Sequence, residues 1–225
     1  MKKTLLLITT FICCRCFAQD FSIAANFGLG FPLDEFKQVN DRTSAGGRFN
    51  FMYKPSPGLP LSVGIELGYQ VRGLKYQNFA GYVLGFYDEF QLTASSNIFS
   101  AFLNARLEAP GNMAVKPFID GMIGTNDFFS SVTVNRQNYY DGTEVSYSNS
   151  SRARWVLAYG GSVGLDIRLS RRNNLWLEVK TTYLTGGRTT YLADPKITDQ
   201  GDAAFTEYTS ATNMLIPQVG VKFDF

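Results

Sequence analysis

The sequence predicts an all-β protein, an eight-stranded antiparallel up-and-down transmembrane β-barrel. Three observations predict it. Apolar and polar residues alternate with period two along nearly the whole chain. The alternating segments are about 9–13 residues long, where ordinary strands average about 5–6 and a tilted strand crossing a bilayer needs about 9–11. The connections between them alternate between short and long, as in barrels with tight turns on one side of a membrane and loops on the other.

Residues 1–18 read as a cleaved secretory signal peptide. Lys2 and Lys3 form a positive start, residues 4–14 an apolar stretch too short to span a bilayer as a helix, and Cys16-Phe17-Ala18 a small-x-small cleavage site. Residues 19–225 are expected to form the barrel. All 3 cysteines lie before residue 19, so the exported chain has no thiol. Lys2, Lys3 and Arg15 are three of the 21 basic residues and residues 1–18 hold no acid, leaving 18 bases against 19 acids, a net −1. The basic character therefore belongs to the targeting segment and is no argument for nucleic acid, which is not expected as a partner. Mean hydropathy is −0.08, and alternation is what hides a barrel's apolar surface from such an average.

In chain order, the first strand places Phe21, Ile23, Phe27, Leu29 and Phe31 on one face, with Asn26, Gly28 and Gly30 opposite. The second sets Phe49, Phe51 and Tyr53 against Arg48, Asn50 and Met52. In the third, Leu61, Val63, Ile65, Leu67 and Tyr69 oppose Glu66, Gly68, Gln70 and Arg72. The fourth has Phe99, Leu103 and Leu107 against Asn104 and Arg106. The fifth, around residues 115–124, is the least regular, because Pro117 cannot donate to a ladder and belongs near a strand start or at a bulge. The sixth sets Trp155, Leu157, Tyr159, Val163 and Leu165 against Asp166 and Arg168, the seventh Leu175, Leu177 and Val179 against Glu178 and Lys180, and the eighth Leu215, Val219, Val221, Phe223 and Phe225 against Lys222 and Asp224.

The short connections are 54–60, 109–114 and 170–174; the long ones are 32–46, 76–96, 126–154 and 186–213. On this pattern both termini lie in the periplasm and the long loops outside, in the outer membrane of a Gram-negative bacterium. The long loop 76–96 carries Phe79, Tyr82, Phe86 and Tyr87, an unusually apolar set for exposed chain, and is expected either to contact a partner or lipid headgroups, or to fold over the barrel mouth or continue the strands. In 126–154, Asp141-Gly142 between β-prone runs predicts a protruding hairpin that also carries Tyr139 and Tyr140. These six aromatics are the candidate binding residues.

Charges recur on the polar face, six bases (Arg48, Arg72, Arg106, Arg168, Lys180 and Lys222) against six acids (Glu66, Glu108, Asp120, Asp166, Glu178 and Asp224). A charged residue facing lipid at the midplane costs roughly 2–4 kcal/mol, so this face is expected to line the lumen. An eight-stranded barrel is narrow enough for side chains to fill, and a set balanced in sign suits a plug of ion pairs. A soluble barrel with its apolar face inward would bury the same charges' neighbours and leave the aromatics at the strand ends without a role; those aromatics fit interfacial girdles.

The chain contains no histidine, which removes histidine-dependent nucleophiles and metal sites. No catalytic residue, cofactor or metal is expected. Asp194, Asp199 and Asp202 match no calcium-loop spacing and read as a solvated acidic stretch.

Several motifs together resemble the outer-membrane β-barrel domain family of the PorT type of Bacteroidota, and more distantly the OmpA/OmpX-like small barrels. They are the Phe17-Ala18-Gln19 signal end, Phe27-Gly28-Leu29-Gly30-Phe31, Lys116-Pro117-Phe118-Ile119-Asp120-Gly121, the run from Gly160 to Ile167, and the run from Val219 to Phe225. The resemblance implies the fold and the location, and no catalytic residues. It implies that Phe223 and Phe225 form the signal read by the barrel-assembly machinery. Outer-membrane lipid or lipopolysaccharide, that machinery and a protein at the extracellular loops are the expected partners. The expected function is surface binding or adhesion, or envelope integrity; the alternative is an accessory part of a transport or secretion complex.

Overall fold

The computed structural model describes residues 21–39, 41–56, 58–83, 86–138, 144–152, 155–170, 172, 174–197 and 203–225. The expected signal segment, Tyr139, Tyr140, the Asp141-Gly142 turn, Asp199 and Asp202 lie outside these residues.

Eleven strands and one short helix follow one another among the described residues: β1 (Phe21–Pro32), α1 (Asp34–Val39), β2 (Ser44–Tyr53), β3 (Leu61–Val83), β4 (Phe86–Glu108), β5 (Val115–Asn138), β6 (Glu144–Arg152), β7 (Val156–Ser170), β8 (Leu175–Gly186), β9 (Arg188–Ile197), β10 (Ala203–Ala211) and β11 (Met214–Asp224). Eight of them close a ring, β1-β2-β3-β4-β5-β7-β8-β11, every neighbour antiparallel. The ring shuts where β11 returns to β1, with Phe27 opposite Val219 and Ile23 opposite Phe223. These are the eight strands the alternation predicts.

Alternation fixes the register, because a slip by one residue would exchange the two faces of every strand. The exterior is apolar: Leu103 and Val163 are each 64% exposed, and Phe27, Ile119, Leu157 and Val219 lie on the same outer surface. The interior holds the charged and polar residues. Pro117 sits third in β5, opposite Leu165, close to the strand start that its missing N–H requires.

Short turns join the strands at one end of the barrel, which we call the turn end; Phe21 and Phe225 lie there, Phe225 donating its N–H to the Phe21 carbonyl at 2.9 Å. Gly111 takes φ +100° in the turn after β4, a conformation for which glycine has no steric penalty. At the opposite, hairpin end the strands run on. β3 and β4 are 23 residues each and β5 is 24, about twice what a bilayer crossing needs.

For 76–96 this extension bears out the alternative in which the segment continues the strands. Phe79 pairs with Phe90 and Tyr82 with Tyr87 across the β3–β4 ladder, so Phe79, Tyr82, Phe86 and Tyr87 are strand residues. Aromatic and β-branched residues favour a paired, extended backbone, and here that preference continues the barrel strands past the ring. The hairpin expected in 126–154 forms: β6 pairs with the end of β5, Val134 opposite Tyr147. The stretch 186–213, expected to be a loop, contains the separate hairpin β9–β10. The loop after β1 contains α1, which period-two alternation does not reveal.

Candidate functional site

The lumen is built by the inward residues of all eight ring strands. Arg48 on β2 directs Nη1 to Glu66 Oε1 on β3 at 2.6 Å. The other oxygen of Glu66 accepts from Lys180 Nζ on β8 at 2.9 Å. Lys180 also lies 3.4 Å from Glu178, and Glu178 accepts from Arg106 Nη1 on β4 at 2.7 Å. Arg106 grips Asp120 of β5 with two bonds, Nε at 2.7 Å and Nη2 at 3.0 Å, the forked geometry that makes arginine–carboxylate pairs directional. Asp166 of β7 stands 3.8 Å from Arg106 and 2.7 Å from Lys222 of β11. Toward the turn end, Glu108 accepts from Lys222 at 3.3 Å and Lys116 at 3.2 Å.

The result is one continuous network. Five bases (Arg48, Arg106, Lys116, Lys180, Lys222) meet five acids (Glu66, Glu108, Asp120, Asp166, Glu178), with Asp224 joining at the rim, 3.6 Å from Lys222. Glu66, Asp166 and Glu178 are 0% exposed. An isolated buried charge is very costly, and pairing with full hydrogen bonding is what makes it tolerable. Neutral groups stand among the charges: Asn26 donates to Glu178 at 2.8 Å, and Gln218 donates to Thr182, whose hydroxyl also meets Ser162 at 2.8 Å. Gly164 leaves the space for these large side chains, since a Cβ there would strike the Phe118 ring and come within 2.8 Å of Lys180 Cβ.

Of the twelve charged residues expected in the lumen, ten join this network, Asp224 at its rim. The other two lie at its ends. Arg168, half-buried at the turn end, stacks its guanidinium 4.4 Å from the Trp176 ring centre, with Lys116 at 4.6 Å from the same ring. Arg72 lies at the hairpin end, in the bulge between Val71 and Gly73 that interrupts the β3–β4 register, and its guanidinium is 4.7 Å from the Phe36 ring centre. Bulges re-aim side chains in this way.

Sequence reasoning missed Lys116 and Asn26 as members of the network, though both stand on the inward parity. It also missed Phe36, which α1 inserts into the mouth of the barrel at 1% exposure. The signal for α1 was present: Asp34 and Glu35 in the first turn and Lys37 in the last complement a helix dipole.

Above the network the lumen carries an apolar cluster, with Ile98, Phe102, Met122, Phe128, Ala158, Leu184, Met214 and Ile216 in one packed group with Phe36, beside the buried polar Gln70, Ser100 and Asn126. On the exterior, aromatic contacts mark both ends of the apolar band. Phe21–Tyr53 and Phe223–Phe225 meet at 5.0 Å at the turn end. Phe99–Trp155 and Tyr69–Phe129 meet at 6.2 Å toward the hairpin end. Beyond that second belt rise the extended parts of β3, β4, β5 and β6, whose ladder joins all four. Phe79, Tyr82, Phe86 and Tyr87 are carried there on one hairpin.

No protein-family model matches the chain, and no curated protein matches it. Among solved structures it is similar to Neisserial surface protein A, at 11% identity and TM-score 0.51, covering 91% of this chain and 97% of that one. It is also similar to the outer membrane protein OprG from Pseudomonas aeruginosa (14% identity, 92% and 96% covered, TM-score 0.48). A third is a major outer membrane protein from Thermus thermophilus (15% identity, 91% and 99% covered, TM-score 0.46). At such identities the first likeness speaks to the barrel fold alone.

Proposed function

We propose that this chain is a non-enzymatic outer-membrane barrel that works by surface binding or adhesion through the strands raised at its hairpin end. The observation that carries this is the inverted polarity of a closed barrel combined with strands about twice the bilayer-crossing length. An apolar exterior between two aromatic belts suits lipid, and lipid or lipopolysaccharide is the surrounding partner. Strand β1, with 12 residues, spans about what a tilted crossing strand requires. The turn end then faces the periplasm and the raised sheet faces outside.

The lumen network supports a closed plug. Charges that neutralise one another across the barrel leave no single-sign ring to select ions. The work is therefore assigned to the raised sheet, where a protein partner would dock. Phe223 and Phe225, exterior residues of the last strand, are the groups assigned to the barrel-assembly machinery. The accessory role in a transport or secretion complex, implied by the PorT-type resemblance, is the second reading.

Cells expressing a variant with residues 77–91 replaced by a two-residue turn are expected to keep a heat-modifiable, assembled barrel. They are expected to lose attachment to immobilised host or matrix protein at least about tenfold. Unchanged attachment with an assembled barrel would overturn the binding role, and co-purification of secretion components with the native protein would favour the second reading.

A further inference from the structure

The lumen changes character along its length. The ion-pair network occupies the part toward the turn end, and the part toward the hairpin end is walled by Ile98, Phe102, Phe128, Leu184 and Met214, none more than 3% exposed, with the buried polar Gln70, Ser100 and Asn126 among them. A barrel in lipid needs an apolar exterior, but nothing in that requirement calls for an apolar chamber inside. Ring-strand side chains fill this chamber together with Phe36, which comes from α1, a segment outside the ring.

The surroundings of Phe36 are those of a ring-binding site. Phe128 meets it edge to face, centroids 6.0 Å apart at 85°. The Arg72 guanidinium lies over its face at 4.7 Å. Edge-to-face packing and a cation on the π-face both recognise an aromatic ring over an aliphatic chain. The helix that delivers the ring is tethered by exposed polar contacts: Glu35–Arg188 at 3.1 Å, with side chains 49% and 67% exposed, and Asn213 donating to Asp34 at 2.9 Å. Asp34 itself stands at φ +49°, a left-handed conformation costly for a residue with a Cβ. The Leu33 N–H also donates to Asn213 O at 2.9 Å and Val39 packs against the core, so the buried ring is carried on a short segment outside the barrel strands with one strained residue at its start.

We propose that this chamber is a binding site for a single aromatic ring of phenyl to indole size, and that Phe36 occupies it until such a ligand displaces α1. The site is a dead end, because Glu66, Arg106 and Glu178 lie joined by ion pairs across the barrel beyond it. A ligand is held there and not passed on. This goes beyond the surface role proposed above and does not depend on which side of the membrane the hairpin end faces.

The probe is indole, titrated into the full chain in micelles while methyl NMR follows Ile98, Leu184 and Ile216 and amide signals follow α1. The wild type is expected to show saturable shifts in those methyls together with a shift of α1. Phe36→Ala should saturate at an indole concentration at least about tenfold lower, because an occupied site reduces apparent affinity by the fraction closed. Phe36→Leu, which keeps an apolar side chain, should fall between them and serves if the alanine variant does not fold. Hexanol should not reproduce the shifts. The proposal is overturned if the wild type shows no saturable shift, if neither Phe36 variant binds more tightly than the wild type, or if hexanol binds as well as indole.

Discussion

At the scale of single residues, the same burial has opposite consequences depending on partners. Glu66 accepts from Arg48 and Lys180 with no exposure to solvent. Glu66→Leu takes the carboxylate from buried Arg48 and leaves Lys180 with Glu178 alone, and is expected to cost about 3–5 kcal/mol in unfolding free energy. Asn104 is equally enclosed, but its amide meets no protein partner; Asn104→Leu is expected to cost less than about 1 kcal/mol, since replacing an unpaired polar group by an apolar one can be neutral. Urea titrations of refolded protein in one lipid distinguish the two. Similar losses would contradict the assignment of the network as the buried groups that matter. Parity made Glu66, Arg106 and Lys180 legible as inward residues. It did not show height along the barrel, which is why Arg168 and Arg72, on the same parity, stack on Trp176 and Phe36 beyond the reach of the central pairs.

At the scale of elements, each ring strand is two surfaces with different demands. Leu103→Arg, on the exterior of β4 at 64% exposure, is expected to destabilise by roughly 2–4 kcal/mol, the cost of arginine facing lipid near the midplane. The same change at Thr93, on the raised part of β4, is expected to cost less than about 1 kcal/mol. Equal effects would place the lipid band elsewhere. The ring strands were legible because their outer face is apolar and their inner face largely polar, which keeps period two intact along each strand. The raised parts were harder. Gly81, Asn78 and Asp88 look like loop residues in isolation, and only the pairing of Phe79 with Phe90 and Tyr82 with Tyr87 makes the segment a ladder. α1 was lost for a different reason: six residues are too few to display a helical period beside a strand pattern.

At the scale of the whole molecule, closure is the property that organises the rest. Eight strands satisfy one another's backbone groups all the way round, which is what lipid demands of any sheet. The enclosed volume is crossed by a network of five bases and five acids from β2, β3, β4, β5, β7, β8 and β11. The number of strands and the sign balance could both be read from the chain. The continuity of the network could not, because which charges meet across the lumen depends on register and shear. The claim that this network closes the barrel is tested most directly by single-channel recording of the purified protein in planar bilayers. The expected result is a quiet membrane with no steady open level; a steady conducting state of defined ion selectivity would contradict it.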